Sequence, residues 1–247
     1  MDDTNLKNES PELLEQPGPE SGVAPDYNIY NTVSENEFQD AGTDITRPGI
    51  RPETLRQSRI RRVTAEEAEK LCKCGKSGIW IPYLTLQGHS VLDGGEPYGR
   101  LRKDTDAPNK YHQERDTAAY IYIPSGFAVK FCSSHLEFLI VVEGEFKALS
   151  LFEDDYPAIA FPGFFGYSSD RTVNTRELLP DLKELLDVYT PGKVYFVGDG
   201  DTSLNVKFSI AALNLAKLLD PIPLYLPRLP LNGPKGVDDV KEALLHG

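Results

Sequence analysis

Two stretches of the chain decide its fold: FLIVVEGEFKALSLF at residues 138–152 and KVYFVGDGD at residues 193–201. Each contains an apolar run, at 138–142 in the first stretch and at 194–197 in the second. A strand with one solvated face alternates polar and apolar residues, whereas a strand covered on both faces is apolar throughout. The two runs therefore predict buried strands of a parallel α/β sheet.

Helical and strand patterns alternate between and after these runs. Leu178, Leu179, Leu182, Leu185 and Leu186 recur at the spacing of one helix face. Alternating helices and strands are typical of parallel sheets, in which each connection crosses back over the sheet. We therefore predict an α/β fold in which helices flank a parallel sheet, with helices at 145–152, 178–186, 206–219 and 237–245, and further strands at 158–161 and 224–226.

Acidic residues follow both apolar runs. Glu143 comes directly after the first run, and Asp199 and Asp201 follow the second. Functional residues of open parallel sheets gather just past the carboxyl ends of the strands. Carboxylates that converge there repel one another unless a cation lies between them, and such oxygen ligands suit Mg²⁺ or Mn²⁺. Glu-Gly-Glu and Asp-Gly-Asp are each common in loops, but their joint placement predicts a metal site for phosphoryl chemistry.

The net charge of −12 is concentrated near the start of the sequence. Residues 1–45 hold 11 of the 38 acidic side chains and one of the 26 basic ones, a charge of −10, which leaves −2 for the rest. A segment this acidic and this poor in apolar residues cannot bury enough surface to offset its chain entropy. We therefore predict a disordered acidic tail at 1–45. The nearly neutral remainder does not exclude a nucleic-acid partner.

Residues 46–135 are basic at first and then rich in strand signals. Six arginines lie between residues 46 and 62, where we predict a short helix at 53–60. Thr64 followed by Glu67 forms a capping box and predicts a helix at 64–72. Strands are predicted at 79–86, 98–101 and 120–123. Residues 46–135 thus form a basic helical and β-rich subdomain, which precedes an α/β domain at 136–247.

The chain carries no signature of export or membrane insertion. No apolar run approaches the ~20 residues of a membrane-spanning helix, and no signal-peptide pattern is present. The three cysteines, Cys72, Cys74 and Cys132, form no disulfide framework. We therefore expect an intracellular, cytoplasmic protein without a membrane partner.

A set of short motifs extends over about residues 46–246. The α/β part contains VVEGEFKALSL at 141–151, AIAFPGFFGY at 158–167 and KVYFVGDGDTSLN at 193–205. Further motifs are WIPY at 80–83, YGRLR at 98–102, NKY at 109–111 and KGVDD at 235–239. Together they resemble the Toprim-like primase domains of phage, plasmid and mobile-element replication proteins, whose hallmark is a Glu after one strand and Asp-x-Asp after a later one.

The resemblance implies an activity, its partners and a set of residues. The implied enzyme is a DNA primase, a nucleotidyltransferase that makes primers from nucleoside triphosphates on a single-stranded DNA template during replication. Mg²⁺ or Mn²⁺ is the implied cofactor, and a separate replicative helicase is a further implied partner. The implied residues are Glu143, Asp199 and Asp201 for metal binding and catalysis, Lys147 for catalysis, Arg100, Arg102, Lys110 and Lys235 for nucleotide or nucleic-acid binding, and Asp238 and Asp239 as additional acidic groups.

Two other functions are compatible with the same residues. In a Toprim-type nuclease the metals would activate water against a scissile phosphate, without a nucleotide site. In a non-catalytic module the chain would bind DNA or dock onto a replisome. The RLR and NKY motifs favour the primase, because only a primase needs grooves for both nucleotide and template. A small-molecule enzyme is disfavoured, since no glycine-rich dinucleotide loop or nucleophile motif is present.

Overall fold

The computed structural model describes residues 45–47, 49–105, 109–168, 177–229, 233 and 235–240. All of them belong to one compact unit, residues 35–247. The acidic tail that the sequence predicts lies outside the described residues, except for Ile45. In the described part of the chain, no helix has the length and apolar character that crossing a membrane requires.

The first half of the described chain builds an antiparallel sheet. The elements are α1 (Pro52–Gln57), β1 (Arg61–Val63), α2 (Ala65–Cys72), β2 (Gly78–Pro82), β3 (Leu92–Asp93), β4 (Glu96–Pro97), β5 (Gly99–Lys103) and β6 (Tyr111–His112). The four strands of the sheet lie in the order β1-β2-β5-β6, and β3 pairs with β4 in a separate hairpin.

The second half builds the predicted parallel sheet, and the α/β prediction is confirmed. The elements are α3 (Phe127–Lys130), β7 (Leu139–Glu143), α4 (Glu145–Glu153), β8 (Ala158–Phe161), α5 (Pro180–Tyr189), β9 (Val194–Val197), α6 (Val206–Leu219) and β10 (Leu224–Tyr225). The strands of this sheet lie in the order β10-β9-β7-β8, and every neighbouring pair is parallel.

The parallel sheet is covered on both faces, which explains its continuous apolar strands. On one face, Val141 and Phe196 share a core cluster with residues of α5 and α6. On the other face, Val142 and Val197 share a second cluster with α4 and with Ile81 of β2. The antiparallel sheet and α4 thus cover the face opposite α5 and α6, so the two sheets share a core.

Backbone hydrogen bonds also join the two halves. Tyr122 donates its N–H to Ala160 O at 2.8 Å, and Ala160 N–H donates to Tyr122 O at 3.0 Å. This antiparallel bridge covers β8, the last strand in the sheet order, and satisfies backbone groups that an open edge would leave unpaired. The strand predicted at 120–123 is reduced to this single bridge.

The helix at 64–72 begins as predicted. Thr64 Oγ1 accepts the N–H of Glu67 at 3.2 Å, while Glu67 Oε2 accepts the N–H of Thr64 at 2.8 Å, so the capping box is complete. The helix predicted at 53–60 ends earlier, at Gln57, because Arg59 adopts a φ of 56° and leaves the helical region.

One predicted strand is shorter than expected, and one predicted helix is described only in part. The strand predicted at 79–86 ends at Pro82, and beyond it Leu84 makes only an isolated bridge to Ser90. The terminal helix predicted at 237–245 is helical at 237–240, and its remainder lies outside the described residues.

Asp181 in the first turn of α5 makes stability depend on pH. Its carboxylate accepts the N–H of Ile121 at 2.7 Å and that of Leu182 at 2.9 Å. Burial nevertheless outweighs these bonds and raises the Asp181 pKa to about 6. A carboxyl whose folded pKa is raised binds more protons in the folded than in the unfolded state, so its contribution to stability falls as pH rises through that pKa.

We therefore expect Asp181→Asn to remove a loss of stability that wild type shows between about pH 4 and about pH 7. Urea unfolding at a series of pH values measures this. The free energy of unfolding should fall from about pH 4 to about pH 7 in wild type and should fall less in Asp181→Asn. Asp187→Asn, an exposed carboxylate of the same helix, is the matched control. Parallel pH profiles for wild type and Asp181→Asn would contradict the assignment.

Candidate active site

A cleft of about 400 Å³ opens at the carboxyl edge of the parallel sheet. Residues of the parallel sheet, of the antiparallel sheet and of the segment 235–240 all line it. Arg102 and Lys110 of the predicted set are not among its lining residues. The cleft brings together seven of the residues that the resemblance implies, namely Glu143, Asp199, Asp201, Lys147, Arg100, Lys235 and Asp238.

Strand register brings the acidic residues to one place. Val142 of β7 pairs with Val197 of β9, so the two strands end at the same level of the sheet. Glu143 is the last residue of β7, and Asp199 follows β9 by two residues. Gly144 then turns the chain into α4 with a φ of 102°, a conformation that side chains other than that of glycine rarely adopt.

A tight turn fixes the position of Asp199. Thr202 Oγ1 donates to Asp199 O at 2.6 Å and closes the turn. Gly198 lies against the same threonine, and a Cβ added to it would lie 2.4 Å from Thr202 Oγ1 and 2.8 Å from Thr202 Cβ. A side chain at position 198 therefore requires the Asp199 loop to shift.

We expect Gly198→Ala to lower the free energy of unfolding by about 1–3 kcal/mol, as overpacking does elsewhere. Turnover should fall by more than the loss of folded protein accounts for, because the shift displaces Asp199. Gly75→Ala is the control, since a Cβ there meets only Glu69 Oε2, at 3.6 Å. Urea unfolding and turnover, measured on the same preparations, separate the two effects, and wild-type values for Gly198→Ala would show that the turn tolerates a Cβ.

Two lysines face the carboxylates. Lys147 Nζ forms an ion pair with Asp199 Oδ1, and Lys235 Nζ lies 3.9 Å from Asp199 Oδ2. Burial raises the pKa of Glu143, Lys147 opposes that rise, and the charges of Asp199 and Asp201 add to it. The two aspartates therefore act electrostatically on Glu143. Among the described residues, however, no three His, Cys, Asp or Glu side chains are grouped closely enough to hold a metal ion.

A buried ion pair connects the antiparallel sheet to the cleft. Arg100 of β5 donates from Nη1 to Glu145 Oε1 at 2.8 Å, and the Tyr83 hydroxyl donates to the same oxygen at 2.7 Å. Glu145 is only 1% exposed. The Arg100 guanidinium also lies over the Tyr111 ring, 4.8 Å from its centroid. The sequence placed Glu145 in the Glu-Gly-Glu motif but gave no signal of this pairing.

Arg47 is a cleft residue that the sequence did not single out. Its guanidinium lies 4.2 Å from the centroid of the Phe146 ring on α4. Burial lowers the Arg47 pKa, and the nearby positive charge of Arg102 lowers it further. An anionic ligand would relieve both effects. The only available signal was the arginine-rich composition of residues 46–62.

The late KGVDD motif packs onto the site. Gly200 donates its N–H to Lys235 O at 2.7 Å, and Asp239 Oδ2 accepts the N–H of Gly236 at 2.9 Å. Asp238 lines the cleft, and burial raises its pKa while Lys147 opposes the rise. The segment 235–240 therefore forms one wall of the cleft, as its place in the motif set implies.

Comparisons with known proteins agree with a primase-like fold. Residues 132–243 match the model of a "Domain of unknown function (DUF3854)". No curated protein matches the chain. The zinc-binding and RNA polymerase domains of the Aquifex aeolicus primase align with a TM-score of 0.52 at 20% identity, over 80% of this chain and 52% of that one. The primase fragment of the bacteriophage T7 primase-helicase protein aligns with a TM-score of 0.50 at 18% identity, over 93% of this chain and 79% of that one. This chain thus spans about half of the Aquifex fragment.

Proposed function

We propose that the protein is a metal-dependent nucleotidyltransferase of the primase type, which extends or initiates a strand on single-stranded DNA. The observation that carries this proposal is the cleft itself, in which Glu143, Asp199 and Asp201 face a set of lysines and arginines. Acidic groups for a metal and basic groups for a polyphosphate are the two requirements of phosphoryl transfer from a nucleoside triphosphate. The primase-like fold is consistent with the same activity.

The acidic side of the cleft offers the donor chemistry of a divalent-cation site, although its carboxylates would have to move closer together to share one ion. Glu143, Asp199 and Asp201 supply only carboxylate oxygens, the ligands that Mg²⁺ and Mn²⁺ prefer. A bound metal ion would neutralise phosphate charge and activate the attacking hydroxyl. The chain's own lysines already compensate part of the negative charge, because Lys147 and Lys235 both face Asp199. If Asp199 binds a metal ion instead, these lysines would be free to contact phosphate.

The basic side of the cleft would bind the triphosphate. Arg47, Arg100, Lys147 and Lys235 line one continuous cavity, and the two arginines rest on aromatic rings that limit their motion. A planar guanidinium donates paired hydrogen bonds to phosphate oxygens, and preorientation lowers the entropy cost of binding. Arg102 and Lys110 lie outside the cavity lining, so we propose that they contact the template strand.

Template-directed incorporation of labelled nucleotides into a primer, with and without Mg²⁺ or Mn²⁺, tests the proposal. The expected result is incorporation that requires template, nucleotide and metal together. Degradation of labelled DNA without nucleotides would instead assign a nuclease. Metal-independent DNA binding without turnover would assign a docking module. The T7 fragment comes from a primase-helicase protein, so we further propose a helicase partner, whose addition should stimulate incorporation.

A further inference from the structure

Glu145 is a buried acid for which the proposed chemistry has no direct use. It is the first residue of α4, and the Tyr83 hydroxyl and Arg100 Nη1 both donate to its Oε1. Its Oε2 and the Nε of Arg100 are buried atoms with no hydrogen-bond partner. A carboxylate buried this completely loses most of its hydration, which a single ion pair seldom repays in full. An apolar side chain at position 145 would therefore serve folding at least as well.

The contacts of Glu145 converge on Arg100. The Arg100 side chain is 15% exposed and lines the cleft, with Glu145 as its ion-pair partner and the Tyr111 ring under its guanidinium. Burial opposes the charge on Arg100, but Glu145 and Tyr83 outweigh it, so the pKa of Arg100 is raised. Glu145 itself stands in the first turn of α4, where the helix dipole favours a negative charge, and it accepts the hydrogen bond of the Tyr83 hydroxyl.

We infer that Glu145 is a positioning residue, which fixes the Arg100 guanidinium in one orientation at the wall of the cleft, ready for the triphosphate of a nucleotide. The nucleotide half of this inference rests on the proposed function. The positioning half rests on the two hydrogen bonds and the ring contact alone. Glu145 acts through Arg100 and need not touch the substrate.

Motion of the Arg100 side chain tests the positioning half without any ligand. In ¹⁵N relaxation of the arginine Nε–H groups of the full chain, the Arg100 signal, assigned by its loss in Arg100→Lys, should be ordered in wild type. Glu145→Gln should lower its order parameter, because the charge that holds the guanidinium is gone. Tyr83→Phe, which removes one of the two hydrogen bonds to Glu145, should lower it less and covers the case in which Glu145→Gln fails to fold. Glu137→Gln, an exposed glutamate paired with Lys193, is the matched control. An unchanged order parameter in both test variants would overturn the inference.

Binding of a fluorescent ATP analogue with Mg²⁺ tests the nucleotide half. We expect Glu145→Gln to weaken binding roughly tenfold, as the loss of a charged hydrogen bond does. The loss should largely disappear in an Arg100→Gln background, since Glu145 acts only through Arg100. Additive losses in the double variant would show that Glu145 serves the fold alone. If wild type binds no nucleotide while Glu145→Gln still loosens Arg100, the proposed function fails and the positioning role stands.

Discussion

Replacing Asp199 and Asp201 together with asparagine is expected to reduce template-directed nucleotide incorporation by on the order of a thousandfold or more, since each replacement removes a negative charge that the proposed metal site needs. Both residues line the cleft, and Asp199 pairs with Lys147. Asparagine keeps the size of the side chain and its carbonyl oxygen but not the negative charge. The measurement is incorporation of labelled nucleotide on a single-stranded template at saturating Mg²⁺.

The asparagine variants are expected to fold. Asp199 and Asp201 lie in the loop after β9, and their side chains contribute to the cleft rather than to the apolar clusters. Asp187→Asn on α5 makes the same chemical change at an exposed position and should retain full activity. Wild-type incorporation by the double variant, with circular dichroism unchanged, would remove the site assignment.

Truncating Phe196 to alanine should lower the free energy of unfolding by about 3–5 kcal/mol, the cost of a large cavity in a rigid core. Phe196 of β9 is 0% exposed. Its ring centroid lies 4.8 Å from that of Phe208 on α6 and 5.9 Å from that of Phe161 on β8. The side chain therefore joins two strands and a helix. These neighbouring elements cannot move far enough to fill the cavity that alanine would leave.

Urea unfolding of Phe196→Ala measures the loss, with Phe196→Leu as the milder substitution, expected to cost less because it leaves a smaller cavity. Tyr225→Ala removes an aromatic ring that is 50% exposed and serves as the surface control. Equal stabilities for Phe196→Ala and Tyr225→Ala would show that β9 is not part of the core.

Three elements with a strong local signal were predicted to the residue. The bounds of β8, β9 and α6 agree with the sequence pattern, because each is an apolar or amphipathic run with clear ends. The short strands β1 and β6 were missed. Neither has a distinctive pattern, since β1 has three residues and β6 has two, and each exists only through pairing with a neighbouring strand. Such pairing is a tertiary property that local sequence does not encode.

The candidate site was predictable where chemistry follows a strand. Glu143 comes directly after one apolar run and Asp199 lies two residues after the other, so the rule for parallel sheets predicted that the two lie together. Arg47 and Glu145 were not predictable as cleft residues. Their roles depend on contacts with Phe146 and Arg100, and these contacts form only when the two sheets pack. The predicted template contacts, Arg102 and Lys110, remain predictions.

The packing of the antiparallel sheet against β7 and β9 sets a limit on how the molecule can be divided. A fragment of residues 132–243, the segment that matches the family model, would lack Ile79 and Ile81. These two residues belong to the cluster that covers Val142 and Val197. That fragment would carry a bare apolar face into solvent, and faces of this kind cause proteins to self-associate. Chains that keep the upstream strands should therefore give soluble protein for crystallography or screening, whereas the fragment 132–243 should form inclusion bodies.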